Sequence, residues 1–360
     1  MSRREACGGC PSPLPPLPKI PPWPLPVQEF WGRPSSSMIG PSRLARSRRV
    51  SSRVIHTPSQ PTAMDPHPCP LCQGRLDASC GFPVNQRLFL RCSVCGTYIA
   101  YPPPDVQELS EFYTNEYFGQ YGSCEGSGRR RRMLLQVLRR IPARPPGRLL
   151  DVGCGAGHFI ALARENGWDV VGVDPSREAC AFARRKYGLS VHAAPLEEAP
   201  LPSAAFDVVT MLNVLDLAPH PLALLRAAAG CLRNDGLLVL RIPNGVFHRA
   251  GLSLLRLLPL SIQNPLRRLL IFHPLLFDAG AAQAVLTHAG FFQVQVVNAP
   301  ISGTELRWPG GKVGHIALPI LIWVGQLLLR VGATVAPHHF RWAPSLLVFA
   351  RKHISSQEIQ

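Results

Sequence analysis

The sequence predicts an α/β protein in which a seven-stranded parallel sheet carries helices on both faces and is preceded by a small metal-dependent ribbon. Three observations lead there. Apolar strand-like runs alternate with helical runs between residues 148 and 351, a glycine turn joins the first of these strands to its helix, and two CxxC pairs stand ahead of both.

Length and charge set the frame. The chain has 360 residues, 46% of them hydrophobic, which suffices for a sizeable core, while 38 prolines and 30 glycines mark part of it as irregular. Its 38 Lys and Arg against 22 Asp and Glu give a formal charge of +16, so nucleic acid, an anionic membrane surface or an anionic substrate is each a candidate partner. Eleven cysteines are too dilute for a disulfide scaffold, and no secretory signal opens the chain.

Residues 1–63 differ from the remainder. Proline-rich PSPLPPLPKIPPWPLP is followed by arginine-rich PSRLARSRRVSSRV, and nine basic residues stand against Glu5 and Glu29, so about +7 of the charge lies here. The composition predicts a disordered leader. A mitochondrial targeting segment has this arginine- and serine-rich, acid-poor signature, but proline blocks an amphipathic helix over much of it, and a start at Met38 or Met64 fits as well.

Residues 64–104 read as a zinc ribbon. Cys69-Pro-Leu-Cys72, nineteen residues and Cys92-Ser-Val-Cys95 form C-x2-C-x19-C-x2-C, a spacing with which two CxxC turns close a tetrahedral site of four thiolates. Arg87–Arg91 and Thr97–Tyr101 alternate as short strands around the second pair. Four thiolates leave no open position, so the Zn2+ is expected to be structural. Cys80 is an unpaired extra, and Cys7 and Cys10 lack a second pair in register.

Residues 105–147 are expected to form a helical linker or cap. They include the run Arg129–Arg132, which reads either as a phosphate contact or as a solvated helix face. Residues 148–157, Arg-Leu-Leu-Asp-Val-Gly-Cys-Gly-Ala-Gly, are then an apolar strand ending in Asp151 and three alternate glycines, Gly153, Gly155 and Gly157, ahead of a helix from His158. Glycine lets backbone approach a ligand, and the helix start offers free N–H groups. The dinucleotide fingerprint is not matched, since its third glycine falls on His158, expected instead to shape the pocket. A second strand ends in Asp174, 21 positions after Gly153, where a carboxylate accepts both ribose hydroxyls. Further strands fall at 190–194, 206–211, 237–242, 291–297 and 345–350, with a Leu232–Gly236 turn before the fifth and a helix over 278–289.

From these residues the chain resembles the class I S-adenosylmethionine-dependent methyltransferases, with their Rossmann-like sheet, over about residues 145–351. The resemblance implies that Asp151 and the three glycines hold the methionine part of S-adenosylmethionine, that Asp174 takes the ribose, and that Asn213, ending the fourth strand, lines the cofactor. With the ribbon, Tyr101-Pro-Pro-Pro and Tyr113-Thr-Asn-Glu-Tyr-Phe118, it resembles the zinc-ribbon bacterial enzymes related to the ubiquinone-biosynthesis type, which act on small molecules, sugars or lipids. Two departures stand out. Relatives often carry Glu-His after the fourth strand, where this chain has Asp216-Leu217, so a base at that histidine is absent; and the adenine-contacting acid is missing near Ala194-Pro195, with Glu197 the stand-in.

Methyl transfer from a sulfonium needs mainly positioning, and where a proton must leave, histidine is the usual acceptor. His273 and His248 are the candidates by position. Inserts at 244–275 and 299–343 are leucine- and arginine-rich, and 315–336 presents an apolar face that suits an interface helix or a cap on the sheet, ahead of a tail at 352–360. The reading is methyl transfer to a small, apolar, lipid-like or carrier-linked acceptor in the cytoplasm or at a membrane surface. An RNA methyltransferase is the rival, with Phe82, Phe89, Tyr98 and Tyr101 as its stacking aromatics. A non-catalytic relative of the enzymes is the third reading.

Overall fold

The computed structural model describes residues 68–84, 87–104, 108, 128–141, 147–255, 273–300 and 341–353. The leader, residues 256–272 and the segment 315–336 lie outside the described residues. No helix among the described residues is long and apolar enough to cross a membrane.

Seven strands form the main sheet: β4 (Arg148–Val152), β5 (Asp169–Val173), β6 (Val191–His192), β7 (Phe206–Leu212), β8 (Leu232–Pro243), β10 (Phe291–Asn298) and β11 (Ser345–Lys352), in the order β10-β11-β8-β7-β4-β5-β6. Helices follow β4, β5 and β7: α2 (His158–Glu165), α3 (Arg177–Tyr187) and α4 (Pro221–Cys231). Their ends are written in the sequence. The Ser176 hydroxyl accepts from Ala179 N to start α3, Gly188 at φ 59° stops it, and Pro221 occupies the first turn of α4. Leu149 and Leu150 of β4 are both fully buried, as a central strand covered on two faces requires.

The structure corrects two expectations here. The sheet is not parallel throughout, because β11 runs antiparallel to both β8 and β10. Asn298, ending β10, pairs with Leu346 at the start of β11, so the chain re-enters the sheet at the end it left and must run back. The Leu232–Gly236 turn is also absorbed into β8. Leu232 already pairs with Phe206, and a register shift absorbs the extra residues before Val208 meets Leu237.

The ribbon is a second sheet, ordered β1 (Leu76–Val84), β2 (Arg87–Cys92), β3 (Tyr98–Tyr101) and β9 (Leu275–Leu276). Its fourth strand comes from the far end of the 244–275 insert. Tyr98 pairs with Leu276 and Ile99 with Leu275, and Ala100 N donates to the Pro274 carbonyl at 2.9 Å. One apolar cluster therefore includes Leu71, Leu90 and Ile99 of the ribbon together with Leu150, Val209 and Phe277. Two further helices flank this seam, α5 (Gly245–Leu255) and α6 (Ala279–His288), and α1 (Gly128–Arg140) lies ahead of β4.

Candidate active site and metal centre

The glycine turn sits at the carboxyl end of β4, beside the switch in strand order where open α/β sheets bind ligands. Gly153 N and Cys154 N both donate to the Val173 carbonyl, at 2.8 and 3.1 Å, which folds the turn over the end of β5. All three glycines have positive φ, 70°, 52° and 79°. They differ in what a side chain would meet. At Gly153 a Cβ would strike Val214 Cγ2 at 2.4 Å and at Gly157 it would strike Leu189 and Ala183, whereas at Gly155 nothing lies within 4 Å. Gly153 and Gly157 thus serve packing, and Gly155 borders open space.

Asp174 organises that turn. Its Oδ2 accepts from Gly155 N at 2.8 Å and its Oδ1 from Ser176 N at 2.8 Å. Asp151 is buried at the end of β4 and accepts a short hydrogen bond from Thr210 Oγ1 of β7. Burial pushes the Asp151 carboxyl up to about 7, with the nearby Asp174 charge adding to the rise and the Thr210 hydroxyl opposing it. Burial raises Asp174 as well. Two carboxylates held above their ordinary range beside an open glycine turn fit a cationic nucleoside ligand, because its charge would restore both to the ionised form. S-adenosylmethionine is such a ligand.

The end of β7 supplies the rest. Asn213 takes a left-handed conformation, φ 63°, and its side-chain oxygen accepts from the Arg241 guanidinium, which is buried at the end of β8. Three residues on, Asp216 is fully buried, and its Oδ2 lies 2.6 Å from Nδ1 of His273. A carboxylate can only accept, so the proton between them sits on Nδ1. His248, in the first turns of α5, places its ring 5.5 Å from that of His273. Burial and the neighbouring His273 push His248 down to about 3, so it is neutral.

The histidine that relatives carry after this acid is absent, as the sequence shows, but another reaches the same carboxylate. Leu217 occupies the neighbouring position in sequence, but the chain returns 57 residues later to bring His273 to the same carboxylate. His158 links the helix it starts to the next one. Its Nδ1 pairs with the Tyr187 hydroxyl at 2.7 Å and its ring meets Phe182 edge-on, so it ties α2 to α3. Glu197 is exposed on the short turn Leu196–Glu198 after β6. Asn244 was not legible as a site residue. Its amide donates to the Arg341 and Ala343 carbonyls and its Oδ1 accepts from Val246 N, joining β8, α5 and the approach to β11.

Cys69, Cys72, Cys92 and Cys95 bring their sulfurs within 4.8 Å of one another. Cys69 and Cys95 Sγ are 3.7 Å apart, Cys72 and Cys92 Sγ 3.4 Å apart. Gln73 N donates to the Cys69 carbonyl and Gly96 N to that of Cys92, so each CxxC closes a tight knuckle, with Gln73 and Gly96 at φ 61° and 76°. Contacts among the sulfurs push Cys69 and Cys95 up and Cys92 far down, since the four cannot ionise together without a cation between them. Four thiolates at these separations need a cation among them, and this donor set fits Zn2+.

Of the ribbon's four aromatics, Phe89 and Tyr98 are buried and serve packing, while Phe82, stacked on Phe89 with centroids 5.2 Å apart, and Tyr101 are half-buried. Of the α1 arginines, Arg131 pairs with Glu165 at 3.1 Å and Arg132 Nε donates to the Gly128 carbonyl.

This fold and site define a nucleoside-binding α/β protein with its ligand at the carboxyl ends of β4 and β5. A methyltransferase-domain family matches residues 127–295. A malonyl-[acyl-carrier protein] O-methyltransferase from Enterobacter lignolyticus is 33% identical over 111 residues, 30% of this chain and 42% of that protein. A probable S-adenosylmethionine-dependent methyltransferase from Mycobacterium tuberculosis is 32% identical over 173 residues, 48% of this chain and 58% of that protein. A trans-aconitate 2-methyltransferase from Mycolicibacterium gilvum is 30% identical over 220 residues, 58% of this chain and 79% of that protein. This chain thus spans about half the length of the first two. It belongs to the S-adenosylmethionine-dependent methyltransferases.

Proposed function

We propose that this protein transfers the methyl group of S-adenosylmethionine to a hydroxyl or an acidic carbon of a small, apolar, lipid-like or carrier-linked acceptor, with a structural zinc holding its ribbon. The observation that carries the reading is the Asp174 carboxylate, which accepts from Gly155 N of the cofactor turn at 2.8 Å, beside buried Asp151. The sulfonium supplies an already activated methyl, so the chain's work is to align the acceptor and take up its proton.

His273 is the group for that proton. Its Nδ1 faces Asp216 at 2.6 Å, which leaves Nε2 as the nitrogen to take up the proton, and the buried carboxylate would stabilise the imidazolium that results. When bound, the cofactor would supply the methyl group and its sulfur would keep the bonding pair, while His273 Nε2 would take the acceptor's proton. Relatives whose names specify malonyl-[acyl-carrier protein] and trans-aconitate support an acceptor that is small or carrier-linked. The burial of Phe89 and Tyr98, two of the four rings an RNA reading needs, speaks against RNA.

The test is calorimetry with S-adenosylmethionine and S-adenosylhomocysteine, followed by transfer from methyl-labelled cofactor to extracted lipids and small metabolites. Binding lost in Asp174→Ala, with label in a small acceptor, is the expected result. Unchanged binding in Asp174→Ala and Gly155→Val would overturn the site, and label in RNA alone would overturn the acceptor class.

A further inference from the structure

We infer that the zinc ribbon is the positioning element of the proton acceptor: strand β3, through β9 and α5, holds His273 against Asp216. This rests on the methyltransferase reading and assigns the ribbon a task within it.

His273 stands two residues before β9, a two-residue strand whose neighbour in the ribbon sheet is β3. The pairs Tyr98–Leu276 and Ile99–Leu275, with the hydrogen bond from Ala100 N to the Pro274 carbonyl at 2.9 Å, fix the backbone immediately after the imidazole. The main sheet packs against this segment through Leu275 and Phe277, but among the described residues its backbone pairs with it only at the isolated bridge Asn244 to Phe277. The second histidine is tied to the same ribbon residue. Arg249, next to His248 on α5, donates to the Tyr98 hydroxyl and lays its guanidinium over the Tyr98 ring at 4.7 Å. Tyr98 thus contacts the elements carrying both histidines.

Tyr98 in turn depends on the metal knuckle. It lies three residues after Cys95, and Cys92 N donates to the Thr97 carbonyl at 2.9 Å while Thr97 Oγ1 lies 3.3 Å from Cys95 Sγ. A four-stranded sheet this small has little core of its own, so the thiolate cluster is what holds β2 and β3 in register. Asp216 needs no such help. It is fixed by the main sheet at the end of β7, fully buried, and its Oδ1 accepts no hydrogen bond among the described residues, so its only partner there is the histidine that the ribbon delivers. Asp216 and His248 are the titratable groups that the described contacts set against His273.

The experiment is long-range proton–nitrogen NMR of the histidine-labelled full chain at mildly alkaline pH with S-adenosylhomocysteine bound. His273 is assigned by difference from His273→Gln, and spectra are taken before and after a chelator removes the zinc under reducing conditions. With zinc, Nδ1 is expected to read as protonated and Nε2 as unprotonated. Without it, both nitrogens should move to the averaged tautomer of a free imidazole, while the Kd for S-adenosylhomocysteine changes by less than about threefold. An unchanged His273 signature after zinc loss overturns the inference. Should zinc removal unfold the whole chain, zinc-loaded Tyr98→Ala decides, with the same averaging in support and a retained single tautomer against. Failure of the zinc-loaded wild type to bind S-adenosylhomocysteine sinks the methyltransferase reading instead, a result read independently of the His273 tautomer.

Discussion

Nδ1 of His273 lies 2.6 Å from the buried carboxylate of Asp216, a residue 57 positions earlier in the chain. The pair joins the turn after β7 to the segment that enters the ribbon sheet. Replacing His273 by Gln keeps a polar side chain there but removes the proton acceptor. General-base catalysis typically contributes about 10²- to 10⁴-fold, so His273→Gln should lower kcat by that order and leave cofactor affinity nearly unchanged. Single-turnover transfer from methyl-labelled cofactor measures it; a variant as fast as wild type would remove His273 from the chemistry.

Gly155→Val should abolish cofactor binding. At φ 52° a side chain costs roughly 1–2 kcal/mol of backbone strain, and the branched group projects into the open space beside the turn. Asp174→Ala removes the acceptor of two backbone N–H groups as well as the carboxylate proposed to take the ribose. A hydrogen bond to a charged group contributes about 1.5–3 kcal/mol, so affinity should fall roughly 10- to 100-fold or more. Calorimetric titration reads both variants.

Cofactor affinity should depend on the charge of Asp151. Its carboxyl is pushed up to about 7 by burial, so it is protonated in the ligand-free protein at mildly acidic pH and must ionise to balance the cationic ligand. Affinity is then expected to fall as pH drops through about 7, with proton release on binding, and Asp151→Asn should flatten the profile. For stability the sign is opposite. The raised carboxyl stabilises the free fold fully below its unfolded value near 3.8 and loses that contribution as pH rises through about 7. Titrations in buffers of different ionisation enthalpy, beside thermal melts, separate the two effects.

Removing one thiolate should cost more than a buried cysteine normally does. Zinc binding supplies about 10–16 kcal/mol to small zinc-finger peptides at neutral pH, and the ribbon's sulfurs are arranged for the same ion. Cys92→Ser is expected to purify without stoichiometric zinc and to melt several degrees lower. Exposed Cys80→Ser should do neither. Metal analysis with calorimetric melting checks both; a zinc-free wild type, or a Cys92→Ser variant of equal stability, would refute the metal centre.

Local patterns made much of this readable in advance. The glycine turn, Asp151, Asp174 and the four cysteines are each defined by spacing within a short stretch, and the fold brings those residues together as the spacing implies. The strand order was legible only as alternation. That β11 runs backward follows from its entering the sheet at the end where β10 leaves it, which no property of Ser345–Lys352 announces. β1 was missed because Leu76–Val84 is largely exposed and does not alternate.

By itself the sequence determined the cofactor turn, its two carboxylates and the thiolate cluster, since each depends on backbone conformation or ligand spacing within a few residues. Tertiary structure alone decided what completes the site. Asp216 meets His273, and Tyr98 meets Leu276 and Arg249, across separations of 57, 178 and 151 positions. Contacts at such distances are chosen by the burial of shared apolar surface between the two sheets, a quantity that belongs to the packed core and to no segment of it.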